Sequence, residues 1–149
     1  MTRRYFVIPG APVGKARARV VTQGGYTHSY TPEKTALYER LVRDTYIFSH
    51  PGEKPLTGPV ELILRAFLPV PASWPKSKKA KALAGIITPT VKPDADNLAK
   101  SVCDALNGVA WMDDKQVIRL HVIKAYGVPR VEVEIWEATD GIAEDVQGD

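Results

Sequence analysis

Val60, Leu62, Leu64 and Ala66 recur at every second position of an apolar run, the period of a strand that turns one face to a core. A shorter run, Arg4 to Ile8, predicts an opening strand halted by Pro9-Gly10. Val20-Val21-Thr22 and Tyr26 to Tyr30, separated by Gln23-Gly24-Gly25, predict a hairpin. Thr31-Pro32-Glu33 combines a hydroxyl cap, a proline at the first helical position and an acid in the first turn. The helix it opens is expected to reach about Phe48, with Leu37, Leu41, Thr45 and Phe48 on one face. Residues 69–93 are irregular, Pro- and Lys-rich, with a short basic helix over Lys76 to Lys81 and a functional or mobile role rather than a core one. A second main helix is expected from Ala95 to about Asn107-Gly108, burying Leu98, Val102, Ala105 and Leu106. Two strands follow, Gln116 to Tyr126 and Arg130 to Ala138, joined by Gly127-Val128-Pro129. This order predicts an α+β fold: one mixed or antiparallel sheet with two main helices.

With 149 residues, 44% hydrophobic and 25% charged, the chain suits a single compact domain, placed here at residues 1–139. No apolar run approaches the ~18 residues of a membrane span. The apolar stretch at the N-terminus is too short for a signal peptide. One cysteine, Cys103, excludes an intrachain disulfide, and a cytoplasmic protein is expected. The net charge of +3 hides an asymmetry. Glu132, Glu134, Glu137, Asp140, Glu144, Asp145 and Asp149 lie beyond residue 130 with no Lys or Arg among them. Residues 1–130 therefore carry all 20 basic residues against the other ten of the 17 acidic ones, a net +10. A body so basic suggests a polyanionic partner, nucleic acid above all. Residues 140–149 read as a frayed acidic tail.

Candidate chemistry is concentrated in Asp94-Ala-Asp96-Asn-Leu-Ala-Lys100, then Asp104, then Trp111-Met112-Asp113-Asp114. Asp94 and Asp96 stand at a loop-to-helix junction, where the helix N-terminus favours negative charge. Lys100, four residues after Asp96, shares its helical face. If the helix and the following strand pack together, all four carboxylates can enter one cleft. Two carboxylates ~4 Å apart at an effective dielectric of about 20 repel by roughly 4 kcal/mol, so such a cluster implies a cation or a lysine beside it. An isolated Asp-x-Asp is equally a helix cap, and Asp-Asp equally a turn. An EF-hand is excluded, because Leu98 stands where a ligand is required and the loop's glycine and closing glutamate are missing. His28, His50 and His121 are too scattered for a zinc site. Cys103 reads as a small core residue.

The string from Asp94 through Lys100, Asp104-Ala105-Leu106-Asn107, Trp111-Met112-Asp113-Asp114 and Gln116-Val117 resembles the RusA family of Holliday-junction resolvases. The likeness extends to the opening strand, its Pro-Gly-x-Pro loop and Tyr30-Thr-Pro-Glu-Lys34. The resemblance implies a small α/β homodimer that binds four-way DNA junctions and nicks two opposed strands, using Mg²⁺ (with Mn²⁺ as a substitute) and no organic cofactor. It places the essential acids on Asp94, Asp96 and Asp114 and the essential lysine on Lys100, with Asp113 as an assisting metal ligand. The long segment 69–93 departs from the compact family pattern, and the basic patch before Asp94 is reduced to Lys92.

Lys15, Arg17 and Arg19 alternate along an extended loop, the spacing of side chains that follow a phosphate backbone. Lys76, Lys78, Lys79, Lys81 and Lys92 are further expected DNA contacts, and Tyr26, Tyr30 and Trp74 are candidates for base stacking. Two other readings compete with junction resolution. One is a less selective nuclease for flaps or other branched DNA; the other is a non-catalytic DNA-binding module.

Overall fold

The computed structural model describes residues 2–30 and 32–138. Along the chain run β1 (Thr2–Pro9), β2 (Arg19–Gln23), β3 (Tyr26–Tyr30), α1 (Glu33–Ser49), β4 (Val60–Leu68), α2 (Lys76–Leu83), α3 (Ala95–Leu106), β5 (Val117–Tyr126) and β6 (Arg130–Glu137). The expected α+β class is observed, with the two main helices, α1 and α3, and the short basic helix, α2. β2 and β3 form the expected hairpin as a separate two-stranded sheet, and the other strands form one sheet in the order β1-β6-β4-β5. That sheet is mixed: β4 and β5 are parallel, while β1·β6 and β4·β6 are antiparallel. β5 and β6 are consecutive in the chain yet not neighbours, because β4 lies between them.

Parallel strands cannot be joined by a tight turn. The chain between Leu68 and Val117 therefore crosses over the sheet and lays α3 upon it. Val60, Leu62, Leu64 and Ala66 are fully buried under the helices, as their period requires, together with Val131, Val133 and Ile135 of β6 and Phe6 and Ile8 of β1. α3 contributes Leu98, Val102, Ala105 and Leu106, also as expected. The opposite sheet face is open. Its charges pair across the strands: Glu134 accepts from Arg65 (3.0 Å) and Arg3 (3.1 Å), and His121 stands 3.3 Å from Glu61.

α1 corrects two expectations. Pro32, not Thr31, occupies the N-cap position, and Thr31 lies outside the described residues. The buried face is Thr35, Tyr38, Val42 and Tyr46, whereas Leu37 is 55% and Phe48 is 89% exposed. The helix carries two periodic stripes, and a polar partner selects between them. Arg4 of β1 is buried, and its Nη1 donates to Tyr46 Oη (2.6 Å) and to the Lys54 carbonyl (3.0 Å). An aliphatic stripe would leave that guanidinium unsatisfied beneath the helix, a costly arrangement.

Residues 69–93 are also more than a loop. Ala82 of α2 is buried against Leu68 and Tyr126, with Val70, Trp74 and Ile87 around them, so the segment builds a satellite core at one end of β4 and β5. The acidic tail, 140–149, lies outside the described residues.

The rotated face of α1 has a direct test in urea denaturation. Val42→Ala is expected to cost about 2 kcal/mol of unfolding free energy. Leu37→Ala is expected to cost less than about 0.5 kcal/mol. A larger loss for Leu37→Ala than for Val42→Ala would mean that the Leu37 stripe is the buried one.

Candidate active site

α3 and the segment just before β5 supply the acids. Asp94 is the N-cap residue of α3, and its side chain makes no capping hydrogen bond, so the carboxylate stays exposed at the helix start. Asp96 follows in the first turn. Lys100 Nζ lies 4.0 Å from its Oδ2, with both side chains largely exposed, so the pair adds little to stability and keeps its charges accessible. Asp114 opens a one-turn 3-10 helix, Asp114–Gln116. The indole Nε1 of the fully buried Trp111 donates to Asp114 Oδ1 (2.8 Å), and the Asp114 backbone N–H donates to Asn107 Oδ1 (3.1 Å). Gln116 Nε2 donates to the carbonyls of Leu56 (2.9 Å) and Gly58 (3.0 Å), which ties this turn to the chain entering β4.

Burial holds the Asp114 carboxyl above its usual range. The Trp111 hydrogen bond opposes that shift, and the charges of Asp104 and Asp113 add to it. A carboxylate that is costly to ionise alone gains most when a cation arrives. Cys103 shares this surroundings, and burial, followed by the charges of Asp114 and Asp104, pushes its thiol up to about 12. It is therefore a neutral packing group, as expected, and not a nucleophile.

The loop after β1 closes over the start of α3. Ser101 Oγ donates to the Val13 carbonyl (2.8 Å), the Lys15 N–H donates to the Asn97 carbonyl (2.8 Å), and the Ala16 N–H donates to Thr35 Oγ1 (3.2 Å). Gly14 permits that approach, since a Cβ there would meet the Cβ atoms of Pro93 and Asn97 at 3.0 and 3.1 Å. Lys15 Nζ then bridges Glu39 of α1 (2.6 Å) and Asp104 of α3 (3.1 Å). Burial alone would lower its pKa, but the hydrogen bonds and charges of both carboxylates outweigh that and hold the ammonium above the ordinary lysine value.

Two cavities meet along the Asp96–Lys100 ridge. A cleft of about 1040 Å³ is lined by Lys15, Arg17, Lys34, Lys92, Lys100, Asp94, Asp96 and Asn97, among others. A smaller one of about 290 Å³ is lined by Asp96, Ala99, Lys100, Cys103, Asp104, Asp114 and Leu120. The expected single cleft of four carboxylates is thus not what forms. Asp94 opens to the larger cavity, Asp114 to the smaller, and Asp96 to both. Asp113 caps the 3-10 turn instead, its Oδ1 accepting from the Lys115 N–H (2.9 Å). Among the described residues no group of three or more His, Cys, Asp or Glu side chains is placed to hold a metal ion. Three protein ligands are not required for Mg²⁺, which keeps several of its waters and binds through one or two carboxylates together with substrate phosphate. Asp96 and Asp114, oxygen donors on the walls of one cavity, fit that demand.

Of the expected DNA contacts, Arg17 and Lys92 are exposed at the larger cleft, and Lys15 is engaged in the ion pairs just described. The Arg19 and Tyr30 side chains lie outside the described structure. Lys76, Lys78 and Lys81 are exposed on α2, and Lys79 is half-buried. Trp74 is half-buried, packs edge-on against Tyr126, and carries Lys78 Nζ 4.0 Å over its ring. Sequence reading did not assign Lys34 to the cleft, Asp104 to the smaller cavity, or the Trp111 and Asn107 hydrogen bonds to Asp114. Asp104, two helical steps of four beyond Asp96, stands with Asn107 and Trp111 in the string that carries the resemblance. From that string Trp111 is expected to pack beneath the acidic loop, but the hydrogen-bond and cavity roles of the three are not legible there.

Basic side chains and the carboxylates of Asp94 and Asp96 thus line one cleft. A family model described as endodeoxyribonuclease RusA matches residues 9–136, and the chain belongs to the RusA endodeoxyribonuclease family. It is also similar to the uncharacterized protein YqaN of Bacillus subtilis (strain 168), at 39% identity over 137 residues covering 90% of this chain and 96% of that protein. No helix among the described residues is long and apolar enough to cross a membrane.

The raised pKa of Asp114 predicts a stability signature. Folding disfavours its ionised form, so the cost is present above its folded pKa and absent at a pH low enough to protonate it in both states. Asp114→Asn keeps an oxygen for the Trp111 N–H and removes the charge. It is expected to raise the Tm by a few degrees at pH 7, with the gain fading as pH falls through the carboxylate range. A gain that grew toward acid pH would contradict the assignment.

Proposed function

We propose that this protein is a Mg²⁺-dependent Holliday-junction resolvase, acting as a homodimer to nick two opposed strands of a four-way DNA junction. The observation that carries the reading is the Asp96–Lys100 ridge, which borders both the basic cleft and the carboxylate cavity. A phosphate drawn into the cleft by Arg17, Lys34 and Lys92 meets that ridge, where the acids begin. Asp96 and Asp114 are the residues that would hold the ion, while Asp94 lines the cleft on the other side of the ridge. When bound, Mg²⁺ supplies the charge that polarises a phosphodiester and acidifies water. Lys100 stands where it can stabilise negative charge developing on the phosphate oxygens. Trp111 and Asn107 keep Asp114 aimed, and Asp113 fixes the turn that presents it. Lys15 draws α1, α3 and the basic loop together, so its part is positioning rather than phosphate contact. The nuclease unit spans residues 1–139, and acting on cellular DNA places it in the cytoplasm.

Two symmetric cuts require two identical sites, hence an isologous pair of chains. End-labelled four-way junction, three-strand flap and linear duplex, incubated at equal salt with Mg²⁺, Mn²⁺ or EDTA, test the reading. Paired, symmetry-related nicks in the junction, dependent on the ion and abolished in Asp94→Asn, Asp96→Asn and Asp114→Asn, are expected. Lys100→Met is expected to slow cleavage about 10²-fold. Equal cutting of flap and junction would make the protein a general branched-DNA nuclease. Binding without cleavage in either metal would make it a binding module.

A further inference from the structure

The stretch between Glu61 and Asp94 contains no acidic residue, and two of its large apolar side chains are well exposed. Leu83 ends α2 at 64% exposure and Ile86 follows at 72%. Gly85 stands between them with φ +80°, a conformation that turns the chain sharply at the helix end. The Ile86 and Ile87 N–H groups both donate to the Lys81 carbonyl (2.9 and 3.3 Å), which closes the turn. On either side of the tip, Ala82 and Ile87 are anchored in the satellite core on Leu68 and Tyr126. The two exposed side chains are therefore held out from a fixed base rather than carried on a loose loop.

The surroundings of this tip indicate its partner. Lys76, Lys78 and Lys81 are exposed on the same short helix, and no carboxylate of the segment offsets them. Leu68 and Tyr126, the register pair beneath α2, share the sheet face that carries α3, so tip and acids belong to one layer. Ile86 and Asp94 are eight positions apart in the chain, a span of at most about 28 Å. Lysines suit a phosphate backbone, and an apolar tip beyond them suits what a duplex hides and a branch point exposes: the faces of unstacked bases.

We propose that Leu83 and Ile86 form a wedge that packs against bases unstacked at a DNA branch point, with Lys76, Lys78 and Lys81 seating the flanking phosphates. This rests on the junction reading above and assigns to residues 76–86 the recognition of branching, apart from the chemistry at Asp96 and Asp114.

The test uses the full chain in EDTA with four-way junctions carrying 2-aminopurine at the crossover. Binding of the unaltered protein is expected to raise the fluorescence of the probe. In Leu83→Ser/Ile86→Ser that rise is lost and the preference for junction over duplex falls about tenfold. Leu83→Met/Ile86→Leu retains both, and matched melting curves show that the variants fold. Full fluorescence and preference in the serine variant overturn the wedge. So does a change in its mass by light scattering, which would make the tip a contact between copies, or its loss of binding to phosphatidylglycerol vesicles, which would make the tip a membrane contact. If the unaltered protein cuts junctions in Mg²⁺ without any fluorescence rise, the wedge fails and the resolvase reading stands. If the fluorescence rises in EDTA but no junction is cut in Mg²⁺, the resolvase reading falls and the wedge stands.

Discussion

The parallel pairing of β4 with β5 governs the rest of this structure. It forbids a short connection and draws some 50 residues across the sheet, and those residues carry almost the whole site. The crossover enters through α2 and its satellite core, returns through α3, and finishes in the 3-10 turn that leads into β5. Asp94 and Asp96 stand where it begins to cross, and Asp114 where it lands. An antiparallel hairpin between these strands would have left the two acidic clusters with no helix to span them.

Electrostatics complete what topology begins. The packing of α1 against α3 brings Glu39 toward Asp104, and Lys15 bridges both. The same lysine anchors the loop that carries Arg17, so the basic wall of the cleft and the acidic helix are set by one cation. Among the described residues Asp114 has no such partner. Its carboxylate is aimed by the Trp111 indole and left with Asp104 and Asp113 as charged neighbours, and burial raises its pKa. Folding thus disfavours the ionised form of Asp114, chiefly through burial. Asp113, its sequence neighbour, is held by a backbone hydrogen bond in a structural cap.

α1 shows how periodicity can be right about an element and wrong about its orientation. Leu37, Leu41, Thr45 and Phe48 do share a face, and the helix has nearly the expected length. The core nevertheless takes the Tyr38–Val42–Tyr46 face, because Arg4 arrives beneath it needing the Tyr46 hydroxyl. That requirement comes from a strand 42 positions away in the chain, and no local pattern contains it.

What the sequence determined by itself is local or periodic. The alternation in β4, the buried stripe of α3, the hairpin turn and the spacing of Asp94, Asp96, Lys100 and Asp114 all follow from residue types within a few positions, and the spacing carried the resemblance to the RusA family. Tertiary structure decided which face of α1 is inward and that β4 separates β5 from β6. It decided too that Asp104 rather than Asp113 stands on the carboxylate wall, and that Lys15 turns inward to two acids. Each of these depends on which distant groups meet in the folded chain, where desolvation makes an unpaired charge or hydrogen bond costly enough to choose among arrangements that look equivalent in the sequence.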